Sequence, residues 1–424
     1  MGIAMAELIV NHFLFLDSIL SLYERALHLL SKPWILKTLG FVLLVGSVMS
    51  LLSKSGGVNG FIEFLTTKHS LITSPRRAIL LTYFIGIIIF IESSITALVT
   101  GAIGRQLYDR HKISRAKLAF VCDSTSAPIC SIIAINGWGA LLLGLISAQI
   151  SIGLISGSSI EILINSIAYN FYAFSALAVT FIAIMFNINI GAMKNAKPNP
   201  YVANDFLKGD MSNMLLPLMV MIITVFISLF LTGGGDILSG SGSSSIFYAQ
   251  IVTILFMLFI YMKKEVMNFS EFRSSTFSGA FSMFNIATIL LFAFLLSDAT
   301  SQMKTGIYLA SFAQEAVLVH YMAALIFLVS SIIAFSTGTS WGTFSIMVPI
   351  AVPLAVALDA DVALCIGAVI SGGVFGDHCS PISDTTIISS MAAECDPIEH
   401  VKTQLPYALI SGAIATGLFI AFSS

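Results

Sequence analysis

Asp377, Ser380, Ser383, Asp384, Thr385 and Thr386 place six oxygen-bearing side chains within ten residues. Pro381 in their midst interrupts a regular helix and frees main-chain carbonyls. Carboxylate, hydroxyl and carbonyl oxygens are the ligands a hard cation such as Na+ prefers. Far upstream, Glu92, Ser93, Ser94, Thr96, Asp123, Ser124, Thr125 and Ser126 offer the same donor types. The acids need partners, and no Lys or Arg stands between Lys304 and Lys402 to neutralise Asp377 or Asp384. Glu92 follows the apolar run 85–91, and Asp123 follows Leu118-Ala119-Phe120-Val121-Cys122. An acid at the centre of a membrane helix costs roughly 2.5–3.5 kcal/mol. Four of them facing lipid would cost on the order of 10–14 kcal/mol, comparable to a protein's whole stability. They are expected to line a polar cavity instead, where a mobile cation is the natural partner. Blander roles stand beside this one: a helix cap for Asp123, a structural hydrogen bond for Glu92, and an extramembrane turn for Asp377 and Asp384. Asp298, Glu315, Asp359 and Asp361 lie at segment ends and read as solvated.

His378 lies between Asp377 and Cys379, and an unperturbed histidine has a pKa of about 6.5. It suits a proton relay or a structural hydrogen bond equally well. Its spacing from neighbouring Cys and Asp matches no zinc pattern. His320, Trp138 and Trp341 read as packing groups, and Gly233-Gly234-Gly235 as a loop, since the strand, Lys and helix of a phosphate loop are missing.

The elements that must position these residues follow from composition. Of 424 residues, 57 % are hydrophobic and 10 % charged, against roughly 25 % charged in ordinary soluble domains; mean hydropathy is +0.95. This excludes a cytosolic enzyme, a secreted domain and a disordered chain, and implies an integral membrane protein. The net charge of −2 gives no field for nucleic acid. The five cysteines form no C-x-x-C pair and read as small apolar side chains. The N-terminal stretch, interrupted by Glu7, His12, Asp17, Glu24 and Arg25, does not resemble a cleaved signal peptide. Its helical apolar spacing over 8–30 predicts an amphipathic or peripheral first helix.

Apolar runs of about 20 residues, the length of a membrane crossing, cover 34–52, 78–99, 129–155, 162–186, 214–231, 246–262, 279–297, 316–335 and 405–422. The expected fold is therefore all-α and polytopic, with about ten transmembrane elements in two inverted repeats containing discontinuous and re-entrant helices. The N-terminal repeat, with its leading peripheral helix, is assigned to 1–210 and the C-terminal repeat to 211–424. No loop is long enough for a soluble domain. Arg105, Arg110, Lys112, Arg115 and Lys117 mark one basic loop, and Lys54, Lys68, Arg76 and Arg77 another. A plain span over 78–99 would put these on opposite sides, against the rule that basic loops are cytoplasmic. Either the rule fails here or that segment is not a plain helix, and the interruption at Glu92-Ser93-Ser94 favours the second.

The repeat shows as S-x-x-T at Ser93–Thr96 and again at Ser340–Thr343, 247 residues later. Downstream, Asp123-Ser124-Thr125-Ser126-Ala127-Pro128 resembles Asp377-His378-Cys379-Ser380-Pro381 at an offset near 253. Secondary transporters are commonly built from two such repeats, whose interrupted helices present freed carbonyls and half-helix ends to an ion. A carboxylate in a low-dielectric cavity beside another carboxylate holds its proton more tightly than in water, and Na+ can displace that proton. One site that holds either ion but never both needs only alternating access to exchange them.

The run Gly376-Asp377-His378-Cys379-Ser380-Pro381-Ile382-Ser383-Asp384-Thr385-Thr386-Ile387 resembles the signature of the NhaC-type sodium/proton antiporter family. The resemblance extends to 338–343, 403–408, 113–119 and 123–128, and covers about residues 90–145 and 335–410. It implies an ion-transporter fold with inverted repeats and elevator-like motion of one domain against a scaffold. Members exchange Na+ for protons, and relatives couple such gradients to malate/lactate exchange or amino-acid uptake. Where many members carry Asp-Asp-Tyr-Ala-Asn, this chain has Glu92-Ser93-Ser94-Ile95-Thr96: one carboxylate of a pair is absent and the other lengthened.

The expectation is a Na+/H+ antiporter of the bacterial inner membrane, with a Na+-coupled carrier of an amino acid or small carboxylate as the alternative. Asp123, Asp377 and Asp384 are the expected Na+ ligands. Glu92, Ser93, Thr96, Ser124, Thr125, Ser340, Thr343, His378, Ser380 and Ser383 complete the expected ion or substrate site. No catalytic residue and no cofactor beyond the moving ions are expected. The expected partners are the bilayer, Na+ and H+, a small organic solute in the alternative, and a second copy of the chain as a homodimer. An enzyme would need a catalytic pair such as H-E-x-x-H, which does not occur.

Overall fold

Side-chain caps and prolines divide the apolar chain into discrete helices. In the computed structural model, which describes residues 15–57, 60, 74–90, 93–133, 135–198, 209–237, 240–302 and 319–423, the described residues form α-helices joined by short turns, with no β-strand. Helix α1 (Phe15–Leu30) lies first, then α2 (Pro33–Lys54), α3 (Pro75–Ile88), α4 (Ser93–Arg110), α5 (Arg115–Ile132), α6 (Gly137–Ser151), α7 (Ser159–Ala168) and α8 (Phe171–Met185). The later helices are α9 (Ser212–Thr232), α10 (Gly242–Lys263), α11 (Phe269–Ser282), α12 (Phe284–Gln302), α13 (Met322–Thr337), α14 (Ser340–Ala357), α15 (Val362–Cys379), α16 (Asp384–Ala393) and α17 (Pro397–Phe422). Ser114, Asn136, Thr339, Asp361 and Asp396 each accept a backbone N–H at the start of α5, α6, α14, α15 and α17, satisfying donors that a helix start leaves orphaned.

Among the described residues, six helices are long and apolar enough to cross a membrane, or up to eight if α5 with α6 and α7 with α8 each count as one bent span. The expected span over 78–99 is two helices, α3 ending at Ile88 and α4 beginning at Ser93. The expected spans over 129–155 and 162–186 fall on the bent pairs. Helix α1 is amphipathic: Ile19, Tyr23 and Leu27 are exposed along one stripe, while Arg25 and Leu29 are buried. Arg25 pairs with Asp298 of α12.

The duplication has one register. Helix α4 is matched by α14 and α5 by α15, and all four ends are displaced by 247 residues. The starts of α3 and α13, and of α6 and α16, obey the same displacement. The resemblance at an offset near 253 is therefore out of register. Asp123 occupies the place of Ile370, and Asp377 answers to Cys130.

Packing separates two groups of helices. Helices α2, α9, α10 and α11 pack together, as do α3, α4, α5, α8 and α13–α17, and the main packing between the groups runs through α6 and α12. At the crossing of α2 and α11, a Cβ on Gly46 or Gly279 would collide with the other's carbonyl. At the end of α13, Gly338 has φ +66, and a Cβ there would lie 2.7 Å from the carbonyl of Ile382. This glycine lets the two breaks of the second repeat meet.

Two of the five basic residues of the expected loop are buried. Arg115 grips Asp109 through Nε and Nη2, each at 2.7 Å, and reaches Glu394 at 3.2 Å. Lys117 donates to Asn189 at 2.9 Å. Their charges tie α5 to its neighbours, so they carry less weight as markers of orientation.

Candidate functional site

The start of α14 meets the last turn of α15. The Ser340 backbone N–H donates to Asp377 Oδ2 at 3.0 Å, and the Ser340 hydroxyl donates to the same oxygen. That hydroxyl also lies 3.1 Å from the Gly373 carbonyl. Asp377 is 1 % exposed, and its other oxygen, Oδ1, is buried with no hydrogen-bond partner among the described residues. A buried acceptor without a partner is costly. A cation bound there would relieve that cost.

Asp123, midway along α5, is also fully buried, but its oxygens face donors. Gln404 Nε2 donates to Oδ2 at 2.6 Å, and His400 Nε2 lies 3.3 Å from the same atom. Thr386 and Ser389 hydroxyls reach the carboxylate at 3.3 and 3.4 Å. The network continues to Asp377 and His378. Gln404 Nε2 donates to the His378 carbonyl at 3.0 Å, and Thr386 reaches the Asp377 carbonyl at 3.2 Å. His378 Nε2 stands 3.1 Å from the Asp123 carbonyl and Nδ1 stands 3.0 Å from the Tyr172 hydroxyl. A carbonyl only accepts, so in the neutral ring Nε2 carries the hydrogen and Tyr172 donates to Nδ1.

The structure thus joins Asp123, Asp377, His378 and Ser340 in one buried polar region. Asp384 is exposed, accepts the Thr385 backbone N–H at 2.7 Å, and lines a cavity of about 70 Å³ with Ser93, Ser94, Asn136, Trp341 and Met49 of α2. The tips of both repeats therefore meet against the other helix group. Other expected ligands turn to the backbone. Thr96 donates to the Ile89 carbonyl, Thr125 to Val121 at 2.7 Å, Thr343 to Thr339 at 3.0 Å and Ser380 to Phe335 at 2.8 Å. Ser383 shares a hydrogen bond with Thr385 at 3.1 Å, and Ser124 is buried beside Asp123. Glu92 and Glu315 lie outside the described residues. No three His, Cys, Asp or Glu residues converge for a metal among the described residues.

Sequence reasoning missed His400, Gln404, Tyr172, Ser389 and Asn136. All but Asn136 reach the network across large sequence separations. Asn136 had a local signal: an Asn just before Gly137 and an apolar run is an N-cap pattern.

The sequence profile of the Na+/H+ antiporter family matches residues 129–423. An uncharacterized protein of Haemophilus influenzae is 33% identical over 405 residues, covering 90% of this chain and 77% of its own. A second Haemophilus influenzae protein, described as an uncharacterized Na(+)/H(+) antiporter, is 36% identical over 104 residues, 24% of this chain and 22% of its own. Among solved structures, the Alcanivorax borkumensis YdaH transporter superposes over 96% of this chain and 88% of its own, with a TM-score of 0.68 at 13% identity. That likeness is one of fold.

Proposed function

We propose, from the premise that the chain belongs to the Na+/H+ antiporter family, that it exchanges Na+ for protons by alternating access. It is an integral membrane protein and a secondary transporter; the bacterial inner membrane is the compartment proposed. The observation that carries the reading is Asp377, a buried carboxylate with one oxygen held by Ser340 and the other without a partner. A proton and Na+ are rivals for that oxygen. Asp384, which lines the cavity beside Ser93, Ser94 and Asn136, is proposed as the carboxylate that an entering cation meets first. The two helix groups suit elevator-like motion, with α3, α4, α5, α8 and α13–α17 moving against α2, α9, α10 and α11.

The test is sodium-evoked proton release from proteoliposomes. Wild-type protein should acidify the medium on Na+ uptake, and Asp377→Asn should not. Unchanged exchange in that variant removes the site.

A second reading, a Na+-coupled carrier of an amino acid or small carboxylate, draws on the carboxylate missing beside Ser93. Against it, the cavity of about 70 Å³ holds roughly two waters and falls far below the roughly 300 Å³ of small organic-ligand pockets. A strong Na+-dependent thermal shift with a hydroxy or amino acid would reverse that order.

A further inference from the structure

The constant displacement of 247 residues lets the two repeats be compared residue by residue where their helices break. The second repeat has Asp377 in the last turn of α15, Ser383 as the residue before α16, and Asp384 as the first residue of α16. The first repeat has Cys130, Asn136 and Gly137 at those places. Both acids are replaced by uncharged residues, and the short serine by an asparagine.

Asn136 does two jobs. Its Oδ1 accepts the backbone N–H groups of Trp138 at 2.9 Å and Gly139 at 3.2 Å, capping α6. Its Nδ2 points the other way, into three carbonyl oxygens: Cys130 at 2.7 Å, Ile133 at 2.8 Å and Phe90 at 3.2 Å. Only this orientation of the amide satisfies both sets. Cys130 and Ile133 belong to the end of α5, where a helix leaves carbonyls without intrahelical partners, and Phe90 lies in the break between α3 and α4. Three carbonyl oxygens drawn to one point make the kind of cage that discontinuous helices offer to a cation. Here an amide nitrogen with two hydrogens fills it. Asn136 also lines the cavity shared with Asp384. In the second repeat, Ser383 bonds to Thr385, and the neighbouring Asp377 oxygen is without a partner among the described residues.

We infer that Asn136 is a built-in occupant of the first repeat's counterpart of the ion site, so that the protein binds one Na+ per chain, in the second repeat. This rests on the antiporter reading and specifies its stoichiometry. Asn136→Ser writes the second repeat's residue into the first. Serine remains a good helix cap while the nitrogen is removed from the cage.

The experiment is equilibrium binding of radioactive Na+ to the purified full chain in nanodiscs. Wild type should bind one Na+ per chain with a Hill coefficient of about 1, and Asp377→Asn, about 100-fold weaker, should bind almost none at concentrations that just saturate wild type. Asn136→Ser should bind two, with a Hill coefficient that rises above 1 only if the sites interact. The double variant should keep one. Two Na+ in wild type overturns the inference, as does a folded Asn136→Ser that still binds one. Should Asn136→Ser not fold, Asn136→Asp serves: its carboxylate cannot donate to the carbonyls, so its melting temperature should rise with Na+ at least twice as much as that of wild type. An equal rise overturns the inference. Wild-type binding that is untouched in Asp377→Asn sinks the antiporter site instead, and is told apart by that variant alone.

Discussion

Asp123 and Asp377 are equally buried acids on equivalent helices, yet their surroundings are opposite. Asp123 is ringed by Gln404, His400, Thr386 and Ser389. Asp377 has one oxygen on Ser340 and one with no partner among the described residues. A carboxylate ringed by donors is already compensated and resists a cation, which would have to displace N–H groups pointing at it. A carboxylate with an orphaned oxygen invites one. Burial of charge therefore does not by itself mark a transport site; what distinguishes one is how much of the charge the protein leaves uncompensated.

The comparison breaks most readily on Na+ affinity. Asp377→Asn should weaken binding by about 100-fold, about 2.8 kcal/mol at 1.4 kcal/mol per tenfold, whereas Asp123→Asn should stay within about threefold. Scintillation-proximity binding reads both, and the reverse order would exchange the roles assigned to the two acids. Next is stability. Asp123→Asn turns an amide toward two nitrogen donors and should cost about 2–3 kcal/mol, seen as an earlier thermal unfolding in detergent, with Asp377→Asn close to wild type. Gln404→Leu should cost about 2 kcal/mol. Combined with Asp123→Asn it should cost less than the sum, because both remove the same hydrogen bond. A fully additive pair would detach Gln404 from Asp123. Ser340→Ala should lower Na+ affinity by at most about tenfold, since the backbone N–H at 340 still holds Asp377 Oδ2.

The smallest effect comes from an acid outside the membrane, which serves as a yardstick for the buried pair. Lys264 and Ser212 hold the Asp210 carboxyl down at about 2. Its stabilisation should be fully present above its ordinary value of 3.8 and fade as pH falls through about 2. Because Asp210 is exposed, the contribution should not exceed about 0.5 kcal/mol. Lys264→Ala should reduce that acid-side slope in the pH dependence of unfolding, the Ser212 hydrogen bond remaining.

Much of the architecture was legible in the chain. Apolar runs mark the membrane helices, and Ser93-Ser94 opens α4 beyond the end of α3. The S-x-x-T pair carries the correct displacement of the repeats. The downstream pairing of Asp123 with Asp377 misled, because Asp, Ser, Thr and Pro recur at many helix interruptions and match by composition alone. Helix ends are set by caps, and they give the register that composition blurred. The role of Asn136 was hidden for another reason. A neutral amide carries no cost that demands explanation, so nothing in the chain signals that three carbonyls converge on it.

By itself the sequence determined that this is a membrane-embedded, duplicated, helical chain, because hydropathy and helix interruption are local properties that each segment carries within it. Only the tertiary structure decided which buried acid is left uncompensated. The groups that neutralise Asp123 sit on α16 and α17, more than 260 residues away, and hydrogen bonding is a matter of ångströms that no spacing along the chain encodes.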